Sequence, residues 1–232
     1  MTIENVIQRP VRSFVVRQGR MTPAQKEALE AAWPYFGLSL PPDSQFYDWQ
    51  TVFQRDAKRV LEIGFGMGAT LLSLAKSHPD IDFIGIEVHP PGIGRLLSCA
   101  KVMQLTNLKI FAMDAIEVLN RAIPDKSLDK VLLLFPDPWP KRKHHKRRIV
   151  QPEFVQLIAR KLKSQGIFQL ATDWQPYAEH MMSVMQASPD FCNVFGKEGY
   201  APAGFERETT KFERRGEKLG HAIWDLVFQS KC

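Results

Sequence analysis

The stretch RVLEIGFGMGATLLSLAKS, residues 59–77, combines a short apolar run, a glycine-rich turn and an amphipathic segment. This order is typical of a buried strand that turns directly into a helix. The same alternation continues to about residue 186 and predicts five strands by residue 173. Continuous apolar strands between amphipathic helices indicate a parallel sheet that helices cover on both faces. The sequence therefore predicts a doubly wound, Rossmann-like α/β fold with a mostly parallel sheet.

The segment before this core divides into two parts. Residues 1–20 contain four arginines and show no hydrophobic period, which indicates a basic, flexible arm. TPAQKEALEAAW, residues 22–33, predicts a helix with Thr22 as its N-cap and Pro23 at its first position. A loop interrupted by prolines is expected after this helix.

The end of the chain follows another pattern. FCNVFG at 191–196 and HAIWDLVFQ at 221–229 have no long helix between them, so we expect a C-terminal antiparallel hairpin that closes one edge of the sheet. We therefore predict a single domain over residues 21–232, in which a helix and loop at 21–58 precede a core at 59–232.

The composition is that of a globular protein with an ordinary core. The 232 residues are 44% hydrophobic and 24% charged. The longest apolar runs, such as VLLLF at 131–135, are far shorter than the roughly 20 residues that span a bilayer. Three widely spaced cysteines without a CxxC pair indicate a reducing compartment and argue against a zinc site. We expect a soluble, cytoplasmic monomer or homodimer that contacts no membrane and holds no metal.

The positive charge of the chain is concentrated in FPDPWPKRKHHKRR, residues 135–148. The chain has 31 lysines and arginines against 25 acidic residues, and this run supplies six of the cations: Lys141, Arg142, Lys143, Lys146, Arg147 and Arg148. So local an excess favours a binding site for a polyanion, although a solvated surface loop is the alternative. The prolines also restrict the residues before them, so Phe135, Asp137 and Trp139 are expected in extended or turn conformations.

The predicted strand ends carry glycines and carboxylates that suit a nucleoside. The glycines of the first turn allow a ligand to approach the backbone closely at the start of a helix; they are Gly64, Gly66 and Gly68. Glu87 follows the second strand, where it can accept hydrogen bonds from both ribose hydroxyls. Asp114 follows the third strand, where an adenine would lie. Either carboxylate could instead cap the next helix.

The spacing of the glycines distinguishes between nucleoside cofactors. The turn reads GxGxG and lacks the extra residue of the dinucleotide fingerprint GxGxxG, and Glu62 lies two residues before the first glycine. A carboxylate there favours S-adenosylmethionine, which carries an ammonium and a sulfonium group, over the anionic pyrophosphate of NAD. A nicotinamide oxidoreductase and an RNA-binding module without catalysis are the alternatives.

Five motifs can be compared with known families: LEIGFGMG (61–68), IGIEVH (84–89), FPDPWPKRKHHKRR (135–148), LATDW (170–174) and TKFERRGEKLGHAIWDL (210–226). In order and spacing they resemble the bacterial tRNA (guanine-N7)-methyltransferases, a class I family that uses S-adenosylmethionine. Pro140 departs from the pattern, since some relatives have a histidine there. The resemblance implies a class I methyltransferase fold and methyl transfer to N7 of guanosine 46 in the tRNA variable loop.

The resemblance also implies roles for individual residues. The cofactor site would be lined by Glu62, Glu87, Asp114 and Asp137, which join the predicted cofactor-binding glycines of the first turn, Gly64, Gly66 and Gly68. The substrate would meet Lys141, Asp173, Thr210, Lys211, Phe212 and Glu213. The tRNA would contact Lys143, His144, His145, Lys146, Arg147 and Arg148.

The implied reaction sets limited requirements on the protein. Guanine N7 carries an in-plane lone pair, so its attack on a sulfonium methyl group needs no prior loss of a proton. Asp137, which follows the fourth predicted strand, can stabilise the positive charge that develops on the purine, and it is the predicted catalytic residue. Trp139 is expected either to stack on a base or to pack in the core.

Overall fold

An eight-stranded sheet forms the centre of the computed structural model, which describes residues 13–14, 21–42, 45–206 and 222–231. In chain order the strands are β1 (Gly37–Leu38), β2 (Lys58–Ile63), β3 (Ile81–Ile86), β4 (Leu108–Phe111), β5 (Leu128–Leu134), β6 (Leu162–Thr172), β7 (Phe191–Asn193) and β8 (Trp224–Ser230). Their spatial order is β1-β4-β3-β2-β5-β6-β8-β7. The first six strands are parallel, and β8 runs antiparallel to β6 and β7. The predicted sheet and its C-terminal antiparallel pair are confirmed.

Helices connect the parallel strands. They are α1 (Pro23–Phe36), α2 (Trp49–Phe53), α3 (Ala69–Ser77), α4 (Pro90–Val102), α5 (Ala115–Arg121), α6 (Pro152–Lys161) and α7 (Gln175–Ala187), with a 3-10 helix at Arg142–Arg147. Proline occupies one of the first two positions of α4, α6 and α7, where its missing N–H costs no hydrogen bond. No helix in the described ranges is long and apolar enough to cross a bilayer.

The region between α1 and β2 is more ordered than the sequence predicts. The helix α1 begins at Pro23, as expected. The expected loop after it contains β1, which pairs with β4, and the short helix α2, whose N-cap Asp48 accepts a hydrogen bond from the Gln50 N–H at 3.1 Å. The division of the chain into an arm, a preceding segment and a core stays a prediction.

Both faces of the sheet are covered, because alternate residues of the strands enter different hydrophobic clusters. Leu61 of β2 packs with Ile84 of β3 in one cluster, whereas Val60 packs with Phe83 in the other. Successive side chains of a strand point to opposite faces, so the two clusters lie on the two sides of the sheet. Burying each such side chain contributes about 1.5–3 kcal/mol, so both faces of the sheet contribute to the stability of the fold.

The strand order reverses between β2 and β5, and this reversal places the functional cleft. From β2 the chain moves to β3 and β4 on one side, and it then returns to β5 and β6 on the other. The loops that leave β2 and β5 therefore diverge and open a crevice above the carboxyl ends of these strands. On one side of it the start of α4 packs tightly on the glycine turn, since a Cβ atom at Gly92 would clash with the Gly66 carbonyl oxygen.

Candidate active site

A cleft of about 420 Å³ opens at this reversal of strand order. Its volume falls in the range of small-molecule pockets, roughly 300–1,000 Å³. Three carboxylates that follow successive strands line it together, namely Glu87, Asp114 and Asp137. Gly64 and Gly66 line it as well. The structure thus brings five of the seven residues predicted for the cofactor into one cavity.

Glu87 connects the glycine turn to the start of α4. One of its carboxylate oxygens accepts a hydrogen bond from the Gly66 N–H at 2.7 Å, and the other accepts from Val88 at 2.6 Å and His89 at 2.9 Å. Gly66 has a φ of 56°, a left-handed conformation that favours glycine. A carboxylate offers about four acceptor positions, so these bonds leave about one for a ligand hydroxyl. A second ribose bond would require Glu87 to exchange one of its backbone bonds.

Asp114 both caps a helix and lines the cleft. Its Oδ1 accepts hydrogen bonds from the N–H groups of Ile116 at 2.8 Å and Glu117 at 3.3 Å, at the N-terminus of α5. The two interpretations of this residue from the sequence are therefore compatible. The cap fixes the side chain at the rim of the cleft, where it can also meet a ligand.

The turn at residues 135–140, which we call the Asp137 turn, has an unusual backbone. Phe135 and Trp139 precede prolines yet have φ values of 53° and 44°. These values exclude the extended alternative and agree with the turn alternative for these two residues. Left-handed backbone at a residue other than glycine costs about 1–3 kcal/mol and persists only where surrounding contacts hold it. One such contact is the hydrogen bond from the Phe135 N–H to the Ala171 carbonyl oxygen at 2.8 Å.

Two residues predicted for the cofactor lie outside the cleft lining. Gly68 is the N-cap of α3, and Leu96 of α4 packs against it. Glu62 is buried, and burial, with a smaller contribution from the charge of Glu87, raises the pKa of its carboxyl to about 8. Its Oε2 has no hydrogen-bond partner within the described ranges. A buried carboxylate oxygen without a partner fits a cationic ligand group, which would satisfy it and favour its ionised form.

Most of the basic run forms a 3-10 helix, and the three-residue period of this helix places its side chains on separate ridges. Residues three apart stand above one another in such a helix. Lys143 and Lys146 share an exposed ridge. His144 and Arg147 share the ridge that faces Trp139, and both are half-buried. Reduced hydration, together with nearby cations such as Lys143, lowers the pKa of His144.

Trp139 lies at the centre of a small cluster. The guanidinium carbon of Arg147 lies 3.6 Å from the centroid of its ring, and the His144 ring meets it edge to face at 5.8 Å. The Trp139 Nε1–H donates to the Ser13 carbonyl oxygen at 3.0 Å, and Arg147 donates to the Phe14 carbonyl oxygen at 3.2 Å. Trp139 therefore neither packs in the main core nor offers a free face for a base on the side that Arg147 covers.

Arg148 differs from the prediction that it contacts RNA. Its side chain is 3% exposed, and burial lowers the pKa of its guanidinium. It donates hydrogen bonds to the carbonyl oxygens of Pro138 and Pro176 and stacks over the ring of Tyr177. These contacts direct it into the protein, where its burial leaves almost no surface for RNA. The last cation of the run belongs to the scaffold beneath the Asp137 turn.

The residues predicted to meet the substrate are only partly described. Lys141 is exposed at the start of the 3-10 helix, directly after the Asp137 turn. Asp173 is half-buried and follows β6, so it lies at the same edge of the sheet as the cleft without lining it. The other four lie outside the described residues: Thr210, Lys211, Phe212 and Glu213. Among residues that are described, no group of three or more His, Cys, Asp or Glu side chains could hold a metal ion.

Comparison with known proteins assigns the chain to a family. Residues 56–226 match a family model described as "Putative methyltransferase". The chain is 53% identical over 221 residues to the tRNA (guanine-N(7)-)-methyltransferase of Pseudomonas aeruginosa, covering 95% of this chain and 90% of that protein. It is 54% identical over 226 residues to the enzyme of the same name from Alcanivorax borkumensis, covering 97% and 94%. This chain belongs to the tRNA (guanine-N7)-methyltransferase family.

Other solved structures share the fold of this family member. The 16S rRNA methyltransferase KamB superposes with a TM-score of 0.56 at 15% identity, over 82% of this chain and 96% of that chain. TrmN from Thermus thermophilus superposes with a TM-score of 0.52 at 15% identity, over 90% of this chain and 48% of that chain. The predicted class I methyltransferase fold is therefore confirmed.

Some residues of the cleft were not predicted from the sequence. Ser13 and Phe14 line it, although they lie about 120 residues before the Asp137 turn, which Ser13 contacts, and before Arg147, which contacts Phe14. Met113 and Ile116, which flank Asp114, line it too. Met113 and Ile116 could have been predicted, because they lie close in sequence to the strand-end carboxylate Asp114. No local pattern indicates the contact of Ser13 and Phe14.

The raised pKa of Glu62 predicts a specific dependence of stability on pH. The unfolded carboxyl titrates near its ordinary value of 4.5, so between about pH 4.5 and 8 the folded protein holds a proton that the unfolded chain has released. The free energy of unfolding should therefore fall as pH rises through this window, by up to about 1.4 kcal/mol per pH unit from this group. Urea denaturation across the window measures the slope.

Glu62→Gln is uncharged at every pH and should remove this contribution to the slope. The exposed Glu153 of α6 provides the control Glu153→Gln, which should keep the slope of the parent protein. Equal slopes for the parent protein and Glu62→Gln would show that Glu62 is not the buried, protonated group described here.

Proposed function

We propose that this protein transfers the methyl group of S-adenosylmethionine to N7 of a guanine in tRNA, with position 46 of the variable loop as the target. The observation that carries the proposal is the continuity of the cleft with the basic loop. Asp137 lines the cleft, and Lys141 begins the exposed cations only four residues later. Membership of the tRNA (guanine-N7)-methyltransferase family favours methyl transfer over hydride transfer or RNA binding alone.

The described residues fit S-adenosylmethionine as the methyl donor. Glu87 would accept from the ribose, and Asp114 would lie beside the adenine at the rim of α5. The buried Glu62 would compensate the cationic end of the donor from beneath the glycine turn. Glu62 is the least directly placed of the three, since it does not line the cleft itself. A positively charged ligand would also lower its pKa and release its proton.

Methyl transfer to guanine N7 requires the protein to position the two reactants and to stabilise the charge that develops on the purine. When bound, S-adenosylmethionine would supply a sulfonium methyl group to the lone pair of guanine N7, and the electrons of the carbon–sulfur bond would leave with sulfur. The purine would gain the positive charge, and no residue of the protein would need to accept a proton. Asp137 would stabilise that charge and orient the base, because it is held at the cleft by a stiff turn between two prolines. In-line placement of N7 would contribute most of the remaining acceleration.

The exposed ridge of Lys143 and Lys146 would bind phosphates of the tRNA. Such contacts set affinity and orientation but do not read the sequence. His144 and Arg147 lie on the ridge that faces Trp139, so they would support the loop more than they contact RNA. A tRNA substrate also fits the cytoplasmic location that the sequence predicts.

Incubation with unmodified tRNA and methyl-labelled S-adenosylmethionine, followed by nucleoside analysis, tests the proposal. We expect label in 7-methylguanosine, and a transcript with adenine at position 46 should accept almost none. Label in another nucleoside would contradict the reaction. Label in 7-methylguanosine from both transcripts would contradict only the position.

Asp137→Asn should separate catalysis from binding. The amide keeps the shape of the side chain but removes the charge that stabilises the purine, so we expect turnover to fall by about 100-fold, the magnitude typical of one lost electrostatic contact. The Kd for tRNA should change by less than about twofold, since phosphate contacts dominate affinity. Asp190→Asn, at an exposed carboxylate before β7, is the control. Turnover of Asp137→Asn equal to this control would remove Asp137 from the catalytic role.

The ridge is tested by the double variant Lys143→Ala/Lys146→Ala. Each lost phosphate contact should reduce the slope of log affinity against log salt by about 0.7–0.9 and weaken tRNA binding at low salt. Lys58→Ala/Lys76→Ala removes two exposed lysines from the opposite edge of the sheet and is the matched control. If both double variants bind tRNA with the slope of the parent protein, the 3-10 helix does not bind the phosphates.

A further inference from the structure

We propose that Arg148 is a positioning residue that holds the Asp137 turn against the turn that carries Asp173. The inference rests on the proposed function, because it concerns the predicted catalytic carboxylate and a predicted substrate residue. The Asp173 turn is the segment 172–176, which includes the last residue of β6 and the first two residues of α7. Arg148 is the described side chain that hydrogen-bonds to both turns.

The guanidinium group joins the two turns through their backbone. Its Nε donates to the Pro138 carbonyl oxygen at 2.9 Å, and its Nη1 donates to the Pro176 carbonyl oxygen at 3.4 Å. Pro138 is bonded directly to Asp137. A shift of the Pro138 carbonyl therefore shifts the catalytic carboxylate. The bond to Pro176 fixes the position of Arg148, and so of the Pro138 carbonyl, relative to the start of α7.

The Asp137 turn needs such support, since its own backbone supplies little. Prolines at 136, 138 and 140 have no N–H groups, so the turn has few donors of its own. Its two left-handed residues, Phe135 and Trp139, add a conformational cost that outside contacts must offset. Arg147 stacks on Trp139 at one end of the turn, and Arg148 binds its centre from the protein side.

The environment of Arg148 suits an arginine rather than a lysine. Its planar guanidinium donates in two directions while stacking over the Tyr177 ring, with the guanidinium carbon 4.9 Å from the ring centroid. Tyr177 is fully buried in α7, and its hydroxyl accepts from the Val150 N–H at 3.4 Å. The Tyr177 ring is thus held by the hydrogen bond to its hydroxyl and by its burial in α7. A lysine ammonium has no planar fork with which to reproduce both bonds and the stack.

Stability alone does not explain a buried cation at this position. Among the described residues, Arg148 has no ion-pair partner, and its Nη2 has no hydrogen-bond partner. Apolar residues of similar volume usually match or exceed the stability that buried charged groups provide. The described contacts of Arg148 instead hold two turns in position relative to each other. Both turns lie at the edge of the sheet where the cleft opens.

Steady-state methylation by Arg148→Lys tests the proposal. We expect kcat to fall at least 10-fold, because small displacements of a catalytic group reduce turnover strongly, while KM for tRNA changes by less than about twofold. Arg148→Met, which fills a similar volume without a buried charge, should keep its thermal midpoint and show the same loss of kcat. Arg160→Lys, at an exposed arginine of α6, is the control.

Two kinetic outcomes would overturn the inference. A raised KM for tRNA with unchanged kcat and a smaller salt slope would mean that Arg148 contacts RNA. A loss of activity that only follows the loss of folded protein, with normal kcat per folded molecule, would mean that Arg148 is a general stabilising residue.

Amide hydrogen exchange separates this inference from the proposed function, since it needs no substrate. Exchange at Asp137 and Trp139 should be faster in Arg148→Lys than in Arg160→Lys. If exchange is faster in Arg148→Lys but the parent protein does not methylate tRNA, the proposed function is contradicted and the positioning role is supported. Unchanged exchange would contradict the positioning role even if the parent methylates tRNA.

Discussion

The reversal of strand order between β2 and β5 is the constraint on which the rest of the site depends. It separates the glycine turn from the Asp137 turn, and it opens a cavity of about 420 Å³ between them. Carboxylates then reach the cavity simply because they follow parallel strands that end at one edge. Glu87 fastens one wall through its bond to Gly66, and Arg148 fastens the other through its bond to Pro138. The site is therefore a consequence of topology that a few polar contacts fix in place.

Much of this architecture was predictable, because it follows from hydrophobic period and from strand ends. Each of β2 to β6 contains an apolar run, as strands covered on both faces require, and the carboxylates Glu87, Asp114 and Asp137 line the predicted cavity. The elements that escaped prediction are short. The two residues of β1 are a strand only because β4 lies beside them, and α2 has five residues. Pairing with a distant segment leaves no local pattern to recognise.

The sequence was less informative about the basic run, for a physical reason. A run of cations predicts charge, but it does not show which side chains face solvent. The 3-10 helix turns Lys143 and Lys146 outward and His144 and Arg147 toward Trp139, and the packing of α7 then buries Arg148. Of the six cations, Lys143 and Lys146 thus form an exposed ridge, Arg147 stacks on Trp139, and Arg148 is buried. The left-handed backbone at Phe135 and Trp139 was equally hidden, because it is imposed by contacts from elsewhere in the fold.

The central claim is that the cleft at the strand reversal holds a cationic methyl donor of the nucleoside type. Thermal unfolding with S-adenosylhomocysteine or with NAD, at equal concentrations, tests it most directly, because only a ligand of the folded state shifts the transition. A ligand present at about 100 times its Kd stabilises the folded protein by about 2.7 kcal/mol. The account predicts that S-adenosylhomocysteine raises the midpoint of thermal unfolding and that NAD leaves it unchanged. A raised midpoint with NAD alone, or with neither ligand at millimolar concentration, would contradict it.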